Sequence, residues 1–228
     1  MTLKLAIWDM DGTIVDSREV IQTAMVRSFE ALDLQPPAYD ETRKTIGLGL
    51  AEACQILAPG VSGAKLDELV ETYRQSFVKL RAEGEGFEPL YEGALETLYR
   101  LADEGWLLAI ATGKARRGVE AFFEQHDTRH LFDTTWCADD GPGKPHPFMC
   151  EQAMSALGAE PHQTLIIGDA IHDIRMGLNA GIHTYGVSWG FGETAELEQV
   201  GAHEVHHDFT TLNASLDQFA ERIGEWTK

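Results

Sequence analysis

The chain has 228 residues, with 37 acidic side chains against 18 basic ones and a formal net charge of −19. That surplus of carboxylates argues against a nucleic-acid or anionic-membrane partner, because phosphate backbones and anionic lipids are neutralised by clustered Lys and Arg. At 43% hydrophobic and 24% charged residues, the composition is that of a soluble globular chain long enough for one large domain or a domain with an insert. No run approaches the ~18 apolar residues that span a bilayer. The first residues, Met-Thr-Leu-Lys-Leu-Ala-Ile-Trp-Asp, reach a charge before a secretory apolar stretch is complete, so a cytoplasmic location is expected. Cys54, Cys137 and Cys150 are odd in number and lack CxxC spacing, which suits free, space-filling thiols in a reduced compartment.

Leu3–Trp8 is a short, mostly apolar run stopped by Asp9-Met10-Asp11-Gly12-Thr13, the pattern of a buried strand entering a tight loop. A helical block follows. Asp16 and Glu19 have capping-box spacing, and Ile21, Met25, Ser28/Phe29 and Leu32 fall on one face before Pro36-Pro37. A second apolar stripe runs through Leu66, Leu69/Val70, Tyr73, Phe77 and Leu80, bounded by Ser62-Gly63 and by Gly84 and Gly86. No strand pattern interrupts the span between Ser17 and Gly86. After Pro89 the pattern alternates: a helix around Leu95–Ala102, a strand Trp106–Ala111, a helix around Val119–Phe123, a strand near Phe132–Cys137 and a helix around Phe148–Leu157. A strand Thr164–Gly168, a helix around Ile174–Ala180, a strand Ile182–Val187 and weaker elements complete it. Such alternation means an α/β fold, a doubly wound, mostly parallel sheet covered on both faces. The first strand belongs with this half, so the expected organisation is a Rossmann-like core of residues 1–15 and 87–228 with an all-helical cap, 16–86, inserted into it.

In such a sheet the site lies at the carboxyl ends of the strands. The residues there are Asp9 and Asp11 after the first strand, Thr112-Gly113 after Trp106–Ala111, Lys144 beyond Cys137, and Asp169 and Asp173 after Thr164–Gly168. Four converging carboxylates repel one another unless a hard divalent cation neutralises them, and an oxygen-only ligand set favours Mg²⁺ over zinc or copper. The Thr112 hydroxyl, the N–H groups of Thr112 and Gly113 and the Lys144 ammonium are donors that suit the peripheral oxygens of a phosphoryl group.

These four motifs, Asp9-Met10-Asp11-Gly12-Thr13, Thr112-Gly113, Lys144-Pro145 and Gly168-Asp169-x-x-x-Asp173, resemble those of the haloacid dehalogenase-like hydrolases. The insert after the first motif is similar to the helical cap of the phosphoglycolate phosphatase-like and β-phosphoglucomutase-like members. The resemblance implies that Asp9 is a nucleophile forming an aspartyl-phosphate, and that Asp11 protonates the leaving oxygen and later deprotonates water. It implies that Thr112 holds the phosphoryl group and Lys144 balances charge. Mg²⁺ would be bound by Asp169, the Asp9 carboxylate and the Asp11 carbonyl, with Asp173 acting through water. Ala170 departs from the Ser or Thr of many relatives. Asp11 favours phosphate-ester chemistry, since members that cleave carbon–halogen bonds lack an acid there. The expected partner is a small phosphorylated substrate, met by a monomer or weak homodimer, with a mutase that retains its phosphoryl group as the alternative.

Other readings of the same residues are weaker. Thr13 and Ile14 stand where a calcium loop needs a ligand and a glycine. Gly186-Val187-Ser188-Trp189-Gly190 has nucleophile-elbow spacing, but His207 follows too soon for that fold. His203, His206 and His207 read as a solvated cluster. A phospho-acceptor signalling module would carry an adjacent acidic pair and its Lys last, whereas here Lys144 precedes Asp169 and Asp173. Substrate discrimination is expected from the cap, with Arg43, Lys44 and Thr45 as candidate contacts before a Gly-bounded loop, Ile46–Gly49, that can dip into the crevice.

Overall fold

The computed structural model describes residues 3–226; residues 1, 2, 227 and 228 of the expected core segments lie outside the described residues. The first strand, β1 (Leu5–Trp8), is followed by four helices, α1 (Arg18–Glu30), α2 (Tyr39–Arg43), α3 (Leu50–Leu57) and α4 (Ala64–Glu83). The alternating part then runs α5 (Ala94–Asp103), β2 (Leu107–Ala111), α6 (Arg116–His126), β3 (Thr134–Trp136), α7 (Phe148–Leu157), β4 (Thr164–Gly168), α8 (Ile171–Asn179), β5 (His183–Val187), α9 (Thr194–Gln199), β6 (Glu204–His206) and α10 (Phe209–Trp226). The strands form one sheet in the order β3-β2-β1-β4-β5-β6, and every pairing is parallel. The order reverses between β1 and β4, and a crevice opens at such a switch point, outside the strands' carboxyl ends.

Alternation along the strands divides the core. Ala6, Trp8, Leu108, Ile110, Leu165 and Ile167 pack on one face with Leu98 of α5, Phe122 of α6 and Leu216 of α10. Leu5, Ile7, Ala109, Ala111 and Ile166 face the other way, against Met149 and Cys150 of α7 and Met176 of α8. Each large apolar side chain buried this way contributes about 1.5–3 kcal/mol, which is why runs apolar at every position become strands covered on both sides.

The helices α1 to α4 have their own apolar clusters, one joining Met25, Phe29, Cys54, Leu69 and Val70 and another joining Val20, Ala24 and Leu80. Two linkers tie this helical unit to the sheet and run antiparallel: Asp16 N–H donates to Pro89 O at 2.8 Å and Tyr91 N–H to Ile14 O at 3.0 Å. The expected Asp16/Glu19 capping box does not form. Ser17 is the cap residue of α1, and the Asp16 carboxylate instead pairs with the Arg18 guanidinium, whose geometry a carboxylate fits bidentately. The three cysteines are free and buried. Among the described residues, no helix is long and apolar enough to cross a membrane.

Of the three histidines expected to form a solvated cluster, His203 and His207 are exposed and His206 differs. His206 lies on β6 and is buried, and burial pulls its pKa below the ordinary value. His203 bonds Thr184 at 2.8 Å and stacks on His183. His207 Nδ1 meets Ser188 Oγ at 2.6 Å, while the neighbouring Asp208 carboxylate accepts Thr211 N–H, so it does not complete a triad with them.

Candidate active site

Asp9 is the first residue beyond β1, and its N–H still donates to Ile167 O of β4. The chain then turns sharply, with the Met10 carbonyl accepting the N–H groups of Thr13, Ile14 and Val15. Gly12 makes the turn possible in two ways: its φ is +84°, and a Cβ there would lie 2.3 Å from Asp169 Oδ2. Asp169 follows β4 directly. Asp173 sits in the first turn of α8 and accepts Ala170 N–H at 3.0 Å, so it closes the helix start and faces the crevice with the same carboxylate.

One carboxylate oxygen from each of Asp9, Asp169 and Asp173 falls within a 4.8 Å cluster, and all three residues are buried. Lys144 enters from the loop before α7. Its Nζ donates to Asp9 Oδ1 at 2.6 Å and forms an ion pair with Asp173 Oδ1 at 2.5 Å. Asp169 is held by the Thr13 hydroxyl at 3.0 Å and the Phe191 N–H at 2.7 Å. An added Cβ at Gly190 or Gly192 would also strike Asp169, so glycines let the loop after β5 wrap it.

The electrostatics follow from burying like charges. Burial pushes the Asp9 carboxyl up to about 7; Lys144 opposes this and Asp173 adds to it. Burial, with Asp173 and Asp9 beside it, raises Asp169 well above the carboxylate range. Burial works against the Lys144 charge, but Asp173 and Asp9 outweigh it and hold the ammonium above its ordinary pKa. Such a set of oxygens stays ionised together at neutral pH when a cation joins it, and an all-carboxylate donor set suits a hard divalent ion. These residues therefore fit a metal of the Mg²⁺ kind.

Thr112 is buried at the end of β2, with its hydroxyl accepting Lys114 N–H at 3.2 Å and keeping its own hydrogen for another partner. The expected role of the Thr112 N–H as a phosphate donor is not available in this geometry: it donates to Trp136 O at 3.1 Å, because the β2–β3 pairing continues one residue past the strand. Gly113 lies against the loop between α2 and α3, where a Cβ would meet Gly47 O at 2.8 Å and Leu48 O at 2.9 Å. The Ile46–Gly49 loop therefore reaches the crevice.

Asp11 stands apart from the carboxylate cluster. Its Oδ1 accepts Lys114 Nζ at 2.6 Å, and the same ammonium donates to Glu88 Oε1 at 2.9 Å. Of the three candidates in the helical unit, Arg43 donates to Phe191 O at 3.0 Å and to Glu193 at 2.7 Å, on the loop that wraps Asp169. Lys44 is exposed, and Thr45 is buried with its hydroxyl on Thr42 O. Sequence reading did not single out Thr13, Glu88, Lys114 or Phe191. Lys114, a cation directly after a Thr-Gly strand end, carried a usable signal; the Phe191 contribution, a backbone N–H, carried none.

A parallel sheet with a buried carboxylate–lysine centre at its switch point, beside a helical unit, is a site of the α/β class suited to holding a hard cation and an anionic group together. Residues 6–187 match the family model for haloacid dehalogenase-like hydrolases, and the chain belongs to that family. It is 36% identical over 225 residues to the probable phosphatase IndB of Dickeya dadantii, covering 96% of this chain and 92% of that one. It is 31% identical to the pyrophosphatase PpaX of Halalkalibacterium halodurans, over 81% of this chain and 83% of that one. Among solved structures, a hydrolase from Pseudomonas syringae superposes with a TM-score of 0.83 at 25% identity, over 94% of this chain and 98% of that one. A predicted phosphatase from Clostridium acetobutylicum gives 0.84 at 23% identity, over 96% and 100%, a likeness of fold.

Proposed function

We propose that this chain is a Mg²⁺-dependent phosphoric monoester hydrolase that acts on a small phosphorylated metabolite, phosphoglycolate-like or a sugar phosphate, through an aspartyl-phosphate on Asp9. The observation that carries the reading is the Lys144 ammonium joined to Asp9 within the carboxylate cluster at the sheet's switch point. A carboxylate attacks phosphorus only when the charge on both partners is screened, and this arrangement screens it.

Lys144 holds Oδ1 of Asp9, which leaves the other oxygen for attack. That oxygen bonds to phosphorus as the ester P–O bond breaks, and Asp11 gives its proton to the departing oxygen. Asp11 then takes a proton from the water that attacks the phosphoryl group, the Asp9–phosphorus bond breaks, and inorganic phosphate leaves. The Thr112 hydroxyl, the Gly113 N–H and Lys144 hold the peripheral oxygens. Mg²⁺, held by Asp9, Asp169, the Asp11 carbonyl and Asp173, would supply the positive charge that keeps these carboxylates ionised at neutral pH. Residues 16–86 act as a cap that excludes water from the core of 1–15 and 87–228.

The names of the two relatives support phosphoanhydride or phosphoester cleavage. Around the centre, the buried ammonium groups of Lys144 and Lys114 are each already shared by two carboxylates, which favours a monoester over the more highly charged pyrophosphate. The test is phosphate release from a panel of phosphorylated acids and sugars, with pyrophosphate included, in Mg²⁺ and in chelator. Turnover of a monoester only with Mg²⁺ is the expected result; no release from any member of the panel overturns the reading.

A further inference from the structure

The Asp11 carboxylate hangs from a tight turn beside Gly12, and its own backbone does not fix its direction. A proton donor works only within about 2.6–3.2 Å of the atom it serves, so something must aim it. Lys114 lies where it can do so, and it is itself unusually constrained. Its N–H donates to the Thr112 hydroxyl and its carbonyl accepts Ala138 N–H at 3.1 Å. Its stem runs over Gly118, where an added Cβ would come 2.9 Å from Lys114 Cγ, and its ammonium lies 5.8 Å from the Phe77 ring of α4. Burial opposes the Lys114 charge, yet Asp11 and Glu88 outweigh it and keep the ammonium protonated.

Glu88 is anchored in turn. It is only 2% exposed and sits on the linker that returns from the helical unit. Its carbonyl accepts the Gln125 side-chain amide and lies 2.9 Å from His126 Nε2, both on α6. Asp11, Lys114 and Glu88 thus come from three separate segments and meet at one ammonium, with the Glu88 backbone held by further contacts to α6. One carboxylate already balances the Lys114 charge, so the second buried carboxylate adds a desolvation cost that the contact with one ammonium must offset.

We infer that Lys114, held in place by Glu88, is the positioning residue for Asp11: its ammonium fixes one carboxylate oxygen so that the other is presented to the leaving group. The inference rests on the phosphatase reading above. Because Glu88 lies on the cap linker, it also ties the aim of the acid to the linker's position.

The test uses the leaving group. A phenolate such as p-nitrophenolate departs without protonation, whereas an alkoxide requires it, so a misdirected acid penalises alkyl esters selectively. The quantity to compare is kcat/KM, which reports only the steps up to formation of the phosphoenzyme. For Lys114→Met the expected loss is about 10²-fold with an alkyl phosphate, in the range general acid catalysis supplies, and under about tenfold with p-nitrophenyl phosphate. Asp11→Ala should show the same selectivity, and Glu88→Gln a smaller loss in the same direction. Circular dichroism melts check the fold; should Lys114→Met not fold, Glu88→Gln and Lys114→Arg carry the comparison. Equal losses with both esters, or selectivity in Asp11→Ala alone, overturn the inference. A wild-type protein that cleaves neither ester defeats the phosphatase reading instead.

Discussion

Replacing Asp9 by Asn removes one charge from the cluster with almost no change of shape, and its effect on stability can be worked out in advance. In the metal-free protein the Asp9 carboxyl is raised from 3.8 to about 7, chiefly by burial. A folded-state pKa above the unfolded one means that the folded chain holds the proton more tightly. The resulting stability is fully present below about 3.8 and is lost as pH rises through about 7. The Asn variant lacks this dependence. Between pH 5.5 and pH 8.5 wild type therefore loses about 2 kcal/mol that the variant keeps, taking about 1.4 kcal/mol per unit over the 1.5 units below 7. For a chain of this size that corresponds to a relative shift in Tm of roughly 4–8 °C. The assay is thermal denaturation of both proteins in chelator at the two pH values. The variant should gain on wild type as pH rises, and Mg²⁺ should then raise the Tm of wild type more than that of the variant. A difference that stays constant with pH, or shrinks, would refute the reasoning that crowded carboxylates destabilise the empty site.

Two further substitutions test the frame around the site. Gly12→Ala forces a side chain into a backbone with φ of +84° and onto Asp169 Oδ2 at 2.3 Å; displacement on this scale should lower kcat by about 10²-fold, with weakened Mg²⁺ binding in titration calorimetry. Unaltered Mg²⁺ affinity would count against the Asp169 assignment. Arg43→Ala removes the hydrogen bonds from α2 to Phe191 O and Glu193. One charged hydrogen bond between the helical unit and the sheet is worth about 1.5 kcal/mol, so kcat/KM for the best substrate should fall roughly tenfold and Tm by about 3–6 °C; an unchanged kcat/KM would exclude Arg43 from closing the site.

Most of the sheet could be read from the sequence because its strands are buried on both faces, and an unbroken run such as Leu165-Ile166-Ile167 has few other places to go. The helical stretch before Gly86 was legible for the complementary reason, its 3.6-residue stripes. The Asp9, Lys144, Asp169 and Asp173 meeting follows once strand order places β1 beside β4. What sequence hid were contacts that depend on where neighbouring segments end. The Thr112 N–H is consumed because β3 extends its pairing to Trp136. Glu88 looks like an ordinary linker charge until the antiparallel linkers bring it to Lys114. Arg43, expected at the substrate, is drawn to Glu193 and the Phe191 carbonyl by the loop that also wraps Asp169. His206 is buried because one short edge strand carries it inward, which its charged and polar neighbours in sequence do not signal.

The covalent role of Asp9 is tested most directly by quenching the enzyme with acid during turnover of its best monoester and locating bound phosphoryl groups by mass spectrometry of peptides. One phosphoryl group on the peptide that carries Asp9, absent from Asp9→Asn, is the predicted result. Full turnover by Asp9→Asn, or a phosphoryl group on a different residue, would contradict it.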